Sequence, residues 1–509
     1  MPLRSLAERL KPLDRPLTTE EVRFGLRSVV KDGMASQALA SFTGSTFLVA
    51  YALQFGATNA LIGLLAALPH LSQLAQLPAI LLVRRVGNRR LVSVVASAIG
   101  RFAWLAIALM PLFVPSTATL VVLTVGLLLA SLMGAVSNTG WNSWIHELVP
   151  SDQLGSFFGK RFSMAAATGI VVSLAAAWFI DNAAPQIFAD PRLGYSVTFS
   201  LGFVCGLLGV WFVARIPEPK MEPTEGTLIQ LLEVPFEDAN FRNLLRFLAA
   251  WSFALYLATP FFSAYMLTTL EMDLSWVIGL VVLGRIINIL FLRLWGSFSD
   301  EASHKSVLSV AAPLCLLCIL GWTFTTLPDK HQLTFPLLIL LHVLMGVAMA
   351  GVTLATGNIS LKLAPKGQGT NYLAVSNFVV AIAAGVAPLL GGFLADFFVD
   401  RELAWAITWS NAGEAMSGDV VNLRQWDFVF LISFLAGLYS LHRLSFVREK
   451  GTVEEKVVLH ELVSAIGREL REFSTVAAVR HFSPIMRLSR GEADEEGPGR
   501  AMPGPPAGD

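Results

Sequence analysis

Four arginines within the eight residues Val83–Arg90 separate two apolar runs, Ala60–Leu82 and Leu91–Phe113. No other stretch constrains the fold as much. Each run is long enough to cross a bilayer as a helix, which takes roughly 20 residues. Lys and Arg near the ends of membrane spans resist translocation, so a short loop this basic is expected on the cytoplasmic side. A solvated turn between soluble helices is the competing reading, but a soluble core has no use for flanks this long and apolar. Placing that loop inside places every other loop, because each apolar run reverses the side.

Twelve such runs occur, at about 30–53, 60–82, 91–113, 118–142, 162–180, 196–214, 243–266, 274–294, 307–327, 334–357, 372–396 and 426–446. A lipid-exposed backbone must satisfy its own hydrogen bonds, so all twelve are expected to be helices. The expected inner loops hold Arg84, Arg85, Arg89, Arg90, Lys160, Arg161, Arg215, Lys220, Arg242, Lys305, Lys362 and Lys366. The outer loops hold only Arg192, Lys330, Arg401 and Arg424, which puts both termini in the cytoplasm. The first twenty or so residues are polar, so no cleavable signal is expected and the first span is its own insertion signal.

This gives an all-α integral protein of a bacterial cytoplasmic (inner) membrane. Residues 1–27 form a cytoplasmic lead, 28–215 and 243–446 two six-helix bundles, 216–242 a linker and 447–509 a cytoplasmic tail. The linker carries Pro217, Pro219, Pro223 and Pro235, leaving room for one short helix around Thr227–Glu233. Val453, Val457, His460, Ile466, Leu470 and Phe473 predict a surface helix in the tail, before a disordered end from Glu492. The outer segment 399–425 reads as an interfacial aromatic element, with Trp405, Trp409 and Trp426 in or beside it.

Only 15% of residues are charged, against roughly 25% in soluble domains, and the net charge of zero gives nucleic acid no foothold. Cys315 and Cys318 make a C-x-x-C, but in the middle of an apolar run it lacks the polar setting of a redox or zinc site. No nucleophile elbow, phosphate loop or metal-ligand spacing occurs, so no enzyme, cofactor or metal site is expected.

The two halves repeat. Ile62-Gly63-Leu64 matches Ile278-Gly279-Leu280, and Pro150 and Asp181 match Pro365 and Asp396, at offsets of 216 and 215. Parallel six-helix repeats are a transporter architecture with the substrate site near the midplane. With Gly296, Asp300 and Lys305 after the second run of the second half, and Gly87, Arg89 and Arg90 after that of the first, the chain resembles the major facilitator superfamily over about residues 28–446. The resemblance implies an inner latch at Asp300. The first half departs from it, with Arg84 where the acid belongs and Ile80 where the first glycine belongs. Ala387-Pro388-Leu389-Leu390-Gly391-Gly392 resembles the family's antiporter motif but lies in the eleventh run rather than the fifth, so antiport is not carried over.

The resemblance also implies that the first, fourth, seventh and tenth helices surround the cavity, flanked by the second, fifth, eighth and eleventh. Polar residues at depth there are Gln37, Ser41, Ser45, His70, Gln73, Gln76, Asn138, Asn142, Arg285, Asn288, His342 and Asn377. His70/Gln73 and Arg285/Asn288 are each three apart, which puts both members on one helical face. Arg101, on a support helix, is expected to pair with Glu147 or another inner-end acid. Asp32, Glu147, Asp181, Asp300 and Asp396 all read as helix-end acids, leaving no carboxylate at mid-depth. The chain is thus expected to be a monomeric secondary transporter in contact with membrane lipids. It would move a small solute, anionic if Arg285 contacts it, with protons or another ion for coupling. The alternative is a membrane-embedded receptor or scaffold whose tail binds a partner.

Overall fold

A computed structural model describes residues 12–221, 228–327, 329–411 and 414–451. The expected tail helix and acidic end lie outside the described residues. Helix formation starts earlier than the apolar pattern indicates. The Thr18 hydroxyl accepts the Glu21 N–H while the Glu21 carboxylate accepts the Thr18 N–H, a reciprocal cap that opens the helix at Thr19. The first span, α1, therefore runs Thr19–Phe42, breaks, and resumes over Ser45–Gln54. Residues 19–27, expected in the lead, are its first turns. Apolarity marks where a helix meets lipid, whereas the cap marks where it begins.

Among the described residues, eleven further helices are long and apolar enough to cross a membrane. They are α2 Asn59–Val86, α3 Arg89–Leu112, α4 Ser116–Leu148, α5 Leu154–Ile187, α6 Arg192–Val213, α7 Ala239–Thr268, α8 Leu274–Asp300, α9 His304–Thr326, α10 Thr334–Leu363, α11 Gly369–Phe397 and α12 Gln425–Ser445. With the broken α1 they make twelve spans in two sets of six. A linker helix, Leu228–Glu237, separates the sets. Phe102, Val121, Val171 and Phe393 are each more than half exposed. Such a surface would aggregate in water, and here it meets acyl chains. The basic α2–α3 turn is tight because Gly87 takes φ +63° and the Asn88 side chain accepts the Leu91 N–H at 2.7 Å, capping α3.

One segment departs from the all-helical expectation. After α11, Glu402–Asn411 (β1) and Glu414–Arg424 (β2) pair antiparallel, with a bulge between Trp405 and Ala406. Aromatic and β-branched residues such as Trp405 and Val421 favour a strand as readily as a membrane interface. Arg424 pairs with Asp329 at 3.1 Å, tying the hairpin to the α9–α10 connection.

The terminal face carries residues 12–18, the α2–α3 turn and Val447; the hairpin lies at the far face. Four hydrogen bonds tie the two sets together at the far face. Thr46 meets Ser263 at 3.0 Å, Asp396 accepts the Asn59 and Ala60 N–H groups at 3.0 and 2.9 Å, and Asp181 accepts the Ser275 N–H at 2.6 Å. There α2 and α11 touch backbone to backbone: a Cβ on Gly63 would fall 2.2 Å from the Pro388 carbonyl oxygen. Toward the terminal face, α4, α5, α8 and α10 instead carry exposed polar residues, among them Asn142, Lys160, Asp300 and Asn358.

Candidate functional site

Beneath the far-face closure lies a small pocket between the α1 break and α8. At the break, the Thr43 N–H and hydroxyl both donate to the Leu39 carbonyl, and Gly44 becomes extended at φ −60°, ψ 161°. This turns the polar backbone and Ser41, Ser45 and Thr46 toward the cavity, with Ser173 of α5 beside them. The second set contributes Ile278, Val281, Val282 and Arg285, whose three-to-four spacing makes one face of α8. Arg285 is exposed and, among the described residues, has no hydrogen-bond or ion-pair partner. Among the described residues, no carboxylate lines the pocket.

The other residues selected from sequence lie elsewhere. Gln37 sits below Ser41 on α1, against Gly169 of α5, where a Cβ would come 3.0 Å from its Nε2. His70 packs edge-on to Tyr256 of α7 with centroids 4.3 Å apart, so this ring contact spans the two sets. Gln73 donates back to the Pro69 carbonyl at 3.3 Å. Asn288 donates to the Gly346 carbonyl of α10 at 3.3 Å, so Arg285 faces the cavity while Asn288 braces two helices. His342 turns toward α9, with Nδ1 2.7 Å from the Leu338 carbonyl oxygen and its ring against Trp322. Asn138 and Asn142 are exposed on α4.

Asp32 corrects the expectation of a helix-end acid. Because α1 begins at Thr19, Asp32 falls well inside it and is 5% exposed. Ser36 donates to it at 3.0 Å and Arg161 of α5 approaches to 3.8 Å. Arg101 makes no ion pair among the described residues, and Glu147 instead pairs with Arg89 at 2.7 Å.

A family model described as the Major Facilitator Superfamily matches residues 33–335. The chain belongs to the major facilitator superfamily. Solved structures of the same fold include the nucleoside transporter NupG, 13% identical, covering 84% of this chain and 100% of that one at a TM-score of 0.58. A D-xylose-proton symporter is 14% identical over 85% and 99% of the two chains, with a TM-score of 0.62. A bacterial homologue of the iron transporter ferroportin, in an inward-facing state, is 13% identical over 85% and 100%, with a TM-score of 0.58. At these identities the likeness is one of fold. No curated protein matches the chain.

In this facilitator the motifs that follow α2 and α8 are anchored by acids from outside them. Glu218, 0% exposed, accepts the Arg89 and Arg90 N–H groups at 2.8 and 3.0 Å and the Arg89 Nε at 3.2 Å. It thereby caps α3 where the helix dipole favours an anion. Arg90 reaches the Ala214 carbonyl at the end of α6. The second half repeats the device: Glu449 accepts the His304 and Lys305 N–H groups at 3.3 and 2.7 Å, and Lys305 Nζ holds the Val447 carbonyl at 2.7 Å. The two acids are 449 − 218 = 231 residues apart and the two bases 305 − 90 = 215, so a repeat search at one offset overlooks the acids. Asp300 is exposed at the end of α8 and makes no hydrogen bond among the described residues. Near Gly296, a Cβ would come no closer than 3.9 Å to Leu354.

Proposed function

We propose that this facilitator is a secondary transporter that carries a small anionic solute across the cytoplasmic membrane by rocking its two six-helix sets. The carrying observation is Arg285, a permanent charge in the cavity with no acid beside it. An unpaired arginine at membrane depth is expensive, and its planar fork of donors suits a carboxylate or phosphate. The solute is its partner. Arg285→Lys keeps the charge and loses the fork, so affinity falls; Arg285→Gln loses both, at about 2–5 kcal/mol, or a loss of roughly thirtyfold or more. Uptake of an anion panel into proteoliposomes measures this, and unchanged transport by both variants would remove Arg285 from the site.

With the terminal face cytoplasmic, the present conformation is inward-facing, and Asp300 is the latch of the opposite state. In a background lacking Cys205, Cys315 and Cys318, a cysteine at Glu402 should react with an impermeant maleimide added outside intact cells, whereas one at Arg85 should react only after lysis. The reverse pattern would invert the topology.

Asp32 is the proposed coupling acid. A proton on it weakens the hold on Arg161 and so links protonation to the packing of α1 on α5. The proton symporter among the structural neighbours supports this coupling mode. Asp32→Asn should abolish gradient-driven accumulation while leaving solute exchange across the membrane intact. Accumulation at the parental level would exclude it.

A further inference from the structure

We infer that Cys315, Met345 and Met349 form a three-sulfur site for a single cuprous ion inside the second six-helix set. This goes beyond the anionic reading and does not depend on it. Cys315 lies midway along α9, and Met345 and Met349 lie near the middle of α10. The Cys315 Sγ is 3.4 Å from the Met345 Sδ and 3.8 Å from the Met349 Sδ. The two methionines are four residues apart, so one face of α10 delivers both thioethers to the same thiol. The helices are held close beside them, since a Cβ on Gly351 would fall 2.8 Å from that of Ala311, one turn before Cys315. Cys315 is fully buried, whereas both methionines are half-buried, so the cluster is not sealed.

Thiolate and thioether sulfurs are soft donors that select Cu(I) over hard ions. At a metal–sulfur bond of about 2.3 Å, the zinc–thiolate value, three sulfurs around one ion lie about 4 Å apart. The observed separations are within about 0.6 Å of that, a shift that the three rotatable bonds of methionine take up. Binding replaces the Cys315 S–H bond by an S–Cu bond and sends the proton to the buffer; copper stays Cu(I) and no electron moves. One thiolate and one monovalent ion make a neutral complex. A divalent ion on the same ligands would leave a positive charge near the bilayer centre, which is costly. Cys318, three residues on, makes no such sulfur contact among the described residues, so the C-x-x-C is not the motif. The ligands come from two helices, and no spacing along the chain reveals them. An ion there ties α9 to α10, away from the pocket between α1 and α8.

The test uses the purified full chain and Cu(I) alone, titrated without oxygen against a coloured cuprous chelator, with Zn(II) as the control ion. The parent should hold one Cu(I) tightly, release one proton on binding it, and unfold at a higher temperature with the ion than without it. Cys315→Ala should lose the ion and the proton release together. Met345→Leu and Met349→Leu keep the packing volume and should each weaken binding at least about tenfold, the loss caused by removing even a hydrogen-bond partner of a ligand. Cys318→Ala and Arg285→Gln should bind Cu(I) as the parent does, which keeps this site separate from the anionic reading. Zn(II) should raise the unfolding temperature of none of them. Unchanged Cu(I) binding by Cys315→Ala would place the ion elsewhere in the chain. Unchanged binding by the Met345→Leu/Met349→Leu double variant would leave the thioethers as core packing only. Loss of binding in Cys318→Ala, or Zn(II) held as tightly as Cu(I), would overturn the three-sulfur cuprous site.

Discussion

Replacing Asp181 and Asp396 together with alanine is expected to open the far face. Each acid sits late in the fifth helix of its own half and accepts backbone N–H groups at the start of the second helix of the other half. The two positions are 396 − 181 = 215 apart, and so are their targets, 275 − 60 = 215, so the closure is one contact used twice. Asp181 reaches its target from a π turn, Phe179–Ala183, an irregularity that re-aims the chain at the end of α5. A carboxylate capping a helix N-terminus contributes about 1–2 kcal/mol, so losing both removes about 2–4 kcal/mol, or roughly 30- to 1000-fold in the ratio of closed to open. Phe113 and Leu333 are exposed and lie on far-face connections of different sets. Spin labels there should show a longer distance in the double variant, with the single variants intermediate. An unchanged distance distribution would mean that the glycine contacts between α2 and α11 close the face without the acids.

Glu218→Ala should cost more stability than any exposed substitution in the chain. Glu218 and Arg89 are 0% and 1% exposed, and deleting Glu218 leaves the buried guanidinium with only the half-exposed Glu147 as a partner, at about 3 kcal/mol. The deletion also strips the α3 N–H groups of their acceptor. Glu218→Gln keeps an acceptor and should lose less. Glu449→Ala, at the matching but partly exposed position, should lose least. Thermal unfolding of the purified variants ranks them. A Glu218→Ala midpoint equal to that of Glu449→Ala would show that burial does not set the weight of this clamp.

The α1 break had a signal in the sequence: Gly44 between Thr43 and Ser45 is a turn signature inside an apolar run. So did the early start of α1, in the Thr18/Glu21 spacing. Both are short-range chemistry, and both are masked when long apolar runs set the boundaries. Asp32 was misplaced for the same reason, since the edge of an apolar run is not the end of a helix. The hairpin after α11 was ambiguous because tryptophan and valine serve an interface and a strand alike.

The number of spans, their pairing into two sets and the family are legible in the sequence, because lipid forces every crossing to be a long apolar helix and permits few other forms. Arg285 is legible too, because a charge in such a run stands out against its cost. Which polar residues share a cavity is not legible. Ser41 and Arg285 line one pocket, while Asn288 and His342 turn to neighbouring helices, and that choice depends on the rotation of each helix about its own axis. Rotation is set by packing against helices far away in the chain, as are the reach of Asp181 and Asp396 across the far face and that of Glu218 onto α3. Only the tertiary structure decides these, because their partners are brought together by the fold and by no spacing along the chain.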